Sequence, residues 1–186
     1  GILTRNVKQN SGHQAPYRIF FVDLKNKSEK EIELSNFQEI GYEVWALKYF
    51  ERKNGFLRII NKSTSYWLNE SEIVKKKFSI TEWQDFLINN SDIFFNFYAN
   101  EPGLDLLDRP SNEGKILKKL SGVLDEIHLT KEKNGKWSKV RVVKRKEEPC
   151  ISDLDDEDNV EYKIEGWIKI VNENGLPNLW FLTRGC

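Results

Sequence analysis

The chain reads as a mainly β protein of two small units with one short helix between them, and three observations predict it. Short apolar, aromatic-rich runs are bounded by Asn, Gly and Ser; Asn-Gly pairs recur at 54–55 and 134–135; and a 3.6-residue apolar period appears in one central segment only.

Residues 1–16 are polar, rich in Gly, Ser, Asn and Gln and without periodicity, so they are expected to form a loose arm that carries His13. From Tyr17 the pattern changes to strand-like runs at 17–22, 32–34, 42–50 and 56–60, within a β-rich unit spanning 17–78. Asn54-Gly55 lies between Trp45-Ala46-Leu47-Lys48-Tyr49-Phe50 and Phe56-Leu57-Arg58-Ile59-Ile60, and both residues accept the positive φ of a tight hairpin turn. A connecting segment, 79–92, holds the helix. Ser79 followed by Glu82 has the form of a capping box, and Trp83, Phe86 and Leu87 recur at i, i+3 and i+4, which predicts an amphipathic helix over 80–89.

The second unit, 93–186, repeats the hairpin signal. Asn134-Gly135 stands between strand-like residues at 126–129 and 137–143. Residues 144–165 are the most charged and least hydrophobic part of the chain and read as an inserted surface loop. Leu176-Pro177-Asn178-Leu179-Trp180-Phe181-Leu182 reads as a closing strand with Trp180 and Leu182 on one face. An aromatic–x–basic–aliphatic run after each Asn-Gly, followed by Tyr66-Trp67-Leu68 in one case and Gly166-Trp167-Ile168 in the other, points to an internal repeat with an insertion in its second copy.

Composition sets the outer bounds. A chain of 186 residues can hide roughly 70% of its unfolded surface, so neither a metal nor a dense disulfide framework is required for stability. Twenty-nine basic against 29 acidic residues remove the whole-chain electrostatic case for nucleic acid or an anionic membrane. Runs such as Ile19-Phe20-Phe21-Val22 fall far short of a spanning helix. The chain opens on Gly1 and holds no methionine, so a processed or engineered start is expected, with any export signal lying upstream. Cys150 and Cys186 are too far apart for a local metal or redox motif. Two readings stand for them, a disulfide or two free thiols; the disulfide is preferred because an exposed terminal thiol is reactive, and it implies an oxidising compartment.

Several stretches of the second unit resemble the bacterial SH3-like domain, a small β-barrel module of envelope and cell-wall proteins. Leu104-Asp105-Leu106-Leu107-Asp108-Arg109-Pro110-Ser111 is similar to that family's opening segment Leu-Asn-Val-Arg-Ser-Gly-Pro-Ser, departing from it at Leu107 and Arg109. Ile116-Leu117-Lys118-Lys119-Leu120-Ser121-Gly122 resembles its strand before a Gly turn. Asn134-Gly135-Lys136-Trp137-Ser138-Lys139-Val140 resembles its hairpin, and Glu165-Gly166-Trp167-Ile168 its closing strand. The resemblance covers about residues 95–170; the first unit shares only the hairpin and Trp67. It implies two SH3-like barrel units, the first divergent, and a cell-wall peptide, glycan or envelope-protein ligand. Short strands, Gly and Asn turns and scattered Trp and Tyr fit a small barrel independently.

No motif for catalysis emerges. His13 lies in the polar arm, His128 alternates with Ile127 and Leu129 as an exposed or hydrogen-bonded strand residue, and neither cysteine has a neighbouring histidine. Carboxylate chemistry has no motif in its favour. The acidic run at 153–159 fails the EF-hand pattern, with Asp158 where Gly is required and Ile164 where Glu is required, so it reads as a solvated loop and no metal or cofactor is expected. Eight basic residues lie between Lys131 and Lys146, but the acidic run that follows cancels their field, so no nucleic-acid partner is expected.

Aromatic residues give the functional lead. With Val140 and Val142 pointing inward, alternation places Trp137 on the outer face with Lys139 and Arg141, whereas a bulge after the Asn-Gly turn would bring it inward. A Trp face beside Lys and Arg can stack on sugars or hold an extended peptide. Trp67, Trp83, Trp167 and Trp180 are assigned to packing. The expectation is therefore a non-enzymatic, exported binding or scaffolding module of the bacterial envelope, with Trp137, Lys139 and Arg141 as its ligand-binding residues. A protein-interaction or immunity-type protein presenting the charged 144–165 loop is the alternative.

Overall fold

The computed structural model describes residues 1–5, 18–23, 28–33, 36–41, 44–92, 96–149 and 151–181. The fold is mainly β, with antiparallel pairing throughout the described strands, and it divides into two compact units, Gly1–Thr81 and Glu82–Cys186.

The first unit runs β1 (Ile2–Arg5), β2 (Arg18–Asp23), β3 (Ser28–Glu33), β4 (Phe37–Gly41), β5 (Val44–Lys48), β6 (Glu51–Lys53), β7 (Phe56–Asn61), β8 (Thr64–Asn69), α1 (Glu70–Lys75) and β9 (Phe78–Thr81). Its described strands pair into three separate sheets: β4-β5-β1-β9, the hairpin β2-β3, and β6-β7-β8. The expected loose arm is corrected at its start. Ile2 and Leu3 are fully buried between Lys48-Leu47 on one side and Thr81-Ile80 on the other, so β1 is an inner strand. Burying two aliphatic side chains is worth about 1.5–3 kcal/mol each, enough to hold a short strand that carries no periodicity of its own. The rest of the arm, with His13, lies outside the described residues.

The Asn54-Gly55 turn forms as expected, with φ of 52° and 76° and Lys53 facing Phe56 across it. The strand feeding it is β6, because β5 is already committed to β1 and β4. Alternation along β7 sends Leu57 and Ile59 inward, where they meet Leu3, Leu47, Tyr49, Leu68 and Ile73. Helix α1 had no counterpart in the sequence reading. Six residues with only Ile73 buried are too short to show a period, yet its cap is explicit: Asn69 Oδ1 accepts from the Ser71 and Glu72 backbone N–H groups at 2.9 and 3.3 Å. Trp67, assigned to packing, is 45% exposed on β8.

The second unit runs α2 (Trp83–Asn89), β10 (Phe97–Leu107), β11 (Ile116–Asn134), β12 (Trp137–Arg145), β13 (Val160–Lys169) and β14 (Leu179–Phe181). In α2, Trp83, Phe86 and Leu87 are buried as the period predicts, but the helix starts three residues late. Residues 78–81 extend to pair with β1, with Ile80 opposite Leu3, so Ser79 lies in a strand and the N-cap is Glu82. The apolar stripe packs on β14, with the Trp83 and Trp180 rings 5.4 Å apart edge to face and Phe86 stacked on Trp180 at 6.4 Å. On β14 itself Leu179 and Phe181 share the buried face, and Leu182 lies outside the described residues.

The pairings run β11-β12-β13-β10-β14, and β10 also pairs with β11, so the order returns on itself. Strand β11 is continuous where two pieces were expected: Gly122 keeps its place opposite Ala99, with φ of 67° and a register irregularity instead of a chain reversal. The second hairpin turns at Gly135-Lys136, one residue later than Asn134-Gly135, since Asn134 still pairs with Trp137. Strands β12 and β13 reach to Arg145 and from Val160, which leaves residues 146–159 as the connecting segment. Cys150 and Cys186 both lie outside the described residues.

Candidate functional site

Alternation along β12 buries Ser138, Val140 and Val142 and turns Trp137, Lys139 and Arg141 to the opposite face. The register sets Trp137 against Lys169, Lys139 against Trp167, and Arg141 between His128 of β11 and Glu165 of β13. The three expected ligand-binding residues therefore share one outer face, in two different surroundings.

Trp137 is partly buried and lines a recess of about 320 Å³ with Leu104, Asp105, Asn112, Lys169 and Asn178. Lys169 Nζ lies 5.1 Å from the indole centroid, a cation–π contact. The same ammonium is 2.8 Å from Glu173 Oε1, and Lys136 Nζ is 2.8 Å from Glu173 Oε2. Hydrogen bonds from Lys136 and then Lys169 hold the Glu173 carboxyl down at a pKa of about 2. One carboxylate thus fixes the lysine that covers the tryptophan.

The basic residues beyond it are paired within the sheet. Lys139 Nζ is 3.3 Å from Glu132 and 3.9 Å from Glu165, and Arg141 is 3.3 Å from Glu165. Cross-strand pairs of opposite charge leave little net field for a polyanion.

The feature missed by sequence reading is a cleft of about 510 Å³ farther along the same face, lined by His128, Arg141, Arg145, Asp156, Lys163 and Glu165 with Val143, Val160 and Ile164. Beneath it Glu126 is 1% exposed, facing Val143 and diagonal to Arg145. Its Oε2 accepts from Arg145 Nε at 2.9 Å and lies 2.8 Å from Nη2, and His128 Nε2 is 3.9 Å from the same oxygen. Arg145 Nη1 reaches the Asp156 carbonyl at 2.8 Å and Asp156 Oδ1 at 2.9 Å. Burial works against the charge on Arg145, but the bonds to Glu126 and Asp156 outweigh it and leave the guanidinium pKa above its ordinary value. His128, expected as a strand residue, does face outward on β11, beside this buried pair. The alternation Glu126-Ile127-His128 places both polar residues on one face, but nothing local identifies Arg145 as the partner, because that depends on β12 pairing with β11 in a register that sets Glu126 opposite Val143.

The described residues of 146–159 are tied to one another. Asn159 Oδ1 accepts from the Glu147 N–H at 2.8 Å, Lys146 Nζ donates to the Asp158 carbonyl at 2.7 Å, and Ser152 Oγ donates to Glu147 at 2.8 Å. Ile151 and Leu154 on this segment are 77% and 42% exposed. Among the described residues no group of three His, Cys, Asp or Glu converges as a metal site. No protein-family model, curated protein or solved structure matches the chain.

Proposed function

We propose that this chain is a non-catalytic binding or scaffolding module of the bacterial cell envelope, with an SH3-like second unit that holds a cell-wall peptide or glycan on the outer face of β12 and β13. The observation that carries the reading is Trp137: an indole set in a recess on the face away from the core, with Asp105, Asn112 and Asn178 around it. A flat aromatic surface ringed by carboxylate and amide groups suits sugar rings, whose C–H faces stack while their hydroxyls hydrogen-bond, and it suits an extended peptide equally. The closed pairing order of β10 to β13 supports the SH3-like barrel, as do the segments that resemble the family.

The test is co-sedimentation of the protein with isolated peptidoglycan sacculi at low and high salt, beside Trp137→Ala. Binding that survives salt and weakens in the variant is expected; no binding at either salt overturns the wall-ligand reading. Export has its own test in intact mass before and after alkylation without reduction. A Cys150–Cys186 disulfide predicts no alkylation, and two alkylated thiols remove the argument for an oxidising compartment.

One observation favours a protein partner instead, in an interaction or immunity-type role. The acidic 146–159 segment presents Ile151 and Leu154 to solvent, and an apolar pair framed by charge is a common form of protein-recognition surface. A stoichiometric complex recovered from envelope extract, lost on Ile151→Asp, would decide for that role.

A further inference from the structure

Three charged groups in the cleft are unequal in their surroundings. Glu126 is 1% exposed and Arg145 9%, whereas the Asp156 side chain bound to the same guanidinium is 87% exposed. Glu126 already balances Arg145, so Asp156 adds a second carboxylate to one cation. An exposed carboxylate is rehydrated when it leaves and forfeits little, since exposed ion pairs contribute at most about 1 kcal/mol. Arg145 cannot do the same, because its other contacts are buried.

We infer that the cleft beside Arg145 is a binding site for a carboxylate-bearing ligand, and that the chain's own Asp156 occupies it in the ligand's place. Arg145 Nη1 meets Asp156 at the cleft, and Arg141, Lys163 and His128 line the same space. An incoming carboxylate that takes over the Asp156 Oδ1 position meets these groups together, and charge-assisted hydrogen bonds to a planar guanidinium are the strongest available to it. Val143, Val160 and Ile164 provide apolar wall for a short carbon skeleton. With Asp156 swung out, Arg141, Arg145 and Lys163 stand against Glu165 and the underlying Glu126, three positive charges against two negative. The cleft and the Trp137 recess share no lining residue.

The experiment is titration of the isotopically labelled full chain, followed by amide and arginine Nε NMR signals. The probes are succinate, the tripeptide Ala-Ala-Ala with a free C-terminal carboxylate, and the same tripeptide as its C-terminal amide. Asp156→Asn keeps the shape and removes the competing charge, so it should bind the free-acid probes about tenfold more tightly than the parent. Lys163→Gln in that background should weaken them, and Trp137→Ala should leave them unchanged. Succinate bound more tightly than the peptide assigns the site to a small acid; the reverse assigns it to a peptide terminus. Equal affinity of parent and Asp156→Asn, binding of the amide as strong as that of the acid, or no shifts near Arg145 with either protein overturns the inference. Should Asp156→Asn loosen residues 146–159, seen as lost dispersion of their amides, Lys163→Gln and Lys163→Glu in the parent chain provide the same test. Both must lower free-acid binding, Lys163→Glu the more, and unchanged affinity overturns the inference.

Discussion

Gly166 stands opposite Val140 in the β12–β13 ladder, and a Cβ built on it would lie 2.7 Å from the Leu107 carbonyl oxygen and 2.8 Å from the Leu106 side chain. This is where β10 reaches β13 and the pairing order of the second unit closes. Gly166→Ala must push a backbone carbonyl away and should lower stability by about 1–3 kcal/mol, measured by urea unfolding. A midpoint unchanged from the parent would mean that β10 has slack at this crossing.

The Glu126–Arg145 pair is buried on both sides, so removing Arg145 strands Glu126, while removing Glu126 leaves Arg145 with the exposed Asp156 as its one carboxylate. Arg145→Met should cost about 3–5 kcal/mol, and Glu126→Leu less, because Asp156 still faces Arg145. The double change Glu126→Leu with Arg145→Met should cost much less than either single substitution, because no orphan charge remains. Denaturant unfolding of Glu126→Leu, Arg145→Met and the double variant as a double-mutant cycle reads this directly, and additive losses would show that the pair is not coupled.

Trp137 offers a separation of roles. Its partly buried position at the recess makes Trp137→Ala an expected loss of ligand binding with a thermal midpoint close to the parent's. A drop in midpoint comparable to that of Trp83→Ala, whose ring is fully buried, would place Trp137 in the structural core.

Acid should act through Glu173. Its carboxyl is held at about 2, below its ordinary value of 4.5, first by the hydrogen bond from Lys136 and then by that from Lys169. A depressed carboxylate pKa means that its contribution to stability is fully present above the unfolded value and is lost as pH falls through the folded one. Glu173→Gln should therefore be less stable than the parent above about pH 4.5, with the difference closing between there and about pH 2. The group is exposed, so added salt should shrink the difference at every pH. A gap that stays constant across this range would assign the effect to something other than the carboxylate charge.

Local chemistry was legible wherever one short segment decides. Asn54-Gly55 adopts the positive φ angles its residues favour, Trp83, Phe86 and Leu87 form a buried stripe, and Val140 and Val142 point inward while Trp137, Lys139 and Arg141 point outward. The second turn shifted by one residue because Asn134 stayed in the ladder opposite Trp137. The helix lost its expected first turn because Ile80 was claimed by Leu3, nearly eighty positions away in the chain.

By itself, then, the sequence determined the strand-forming runs, the tight turns, the apolar face of α2 and the in–out alternation of β12, all of them governed by steric and hydrophobic preferences acting over a few residues. Tertiary structure alone decided that Ile2 and Leu3 belong to an inner strand, that Gly166 admits the Leu107 backbone, and that Glu126, Arg145 and Asp156 meet at one cleft. Those outcomes depend on which distant strands pair and in what register. A one-residue shift there reassigns every partner while leaving the local pattern unchanged.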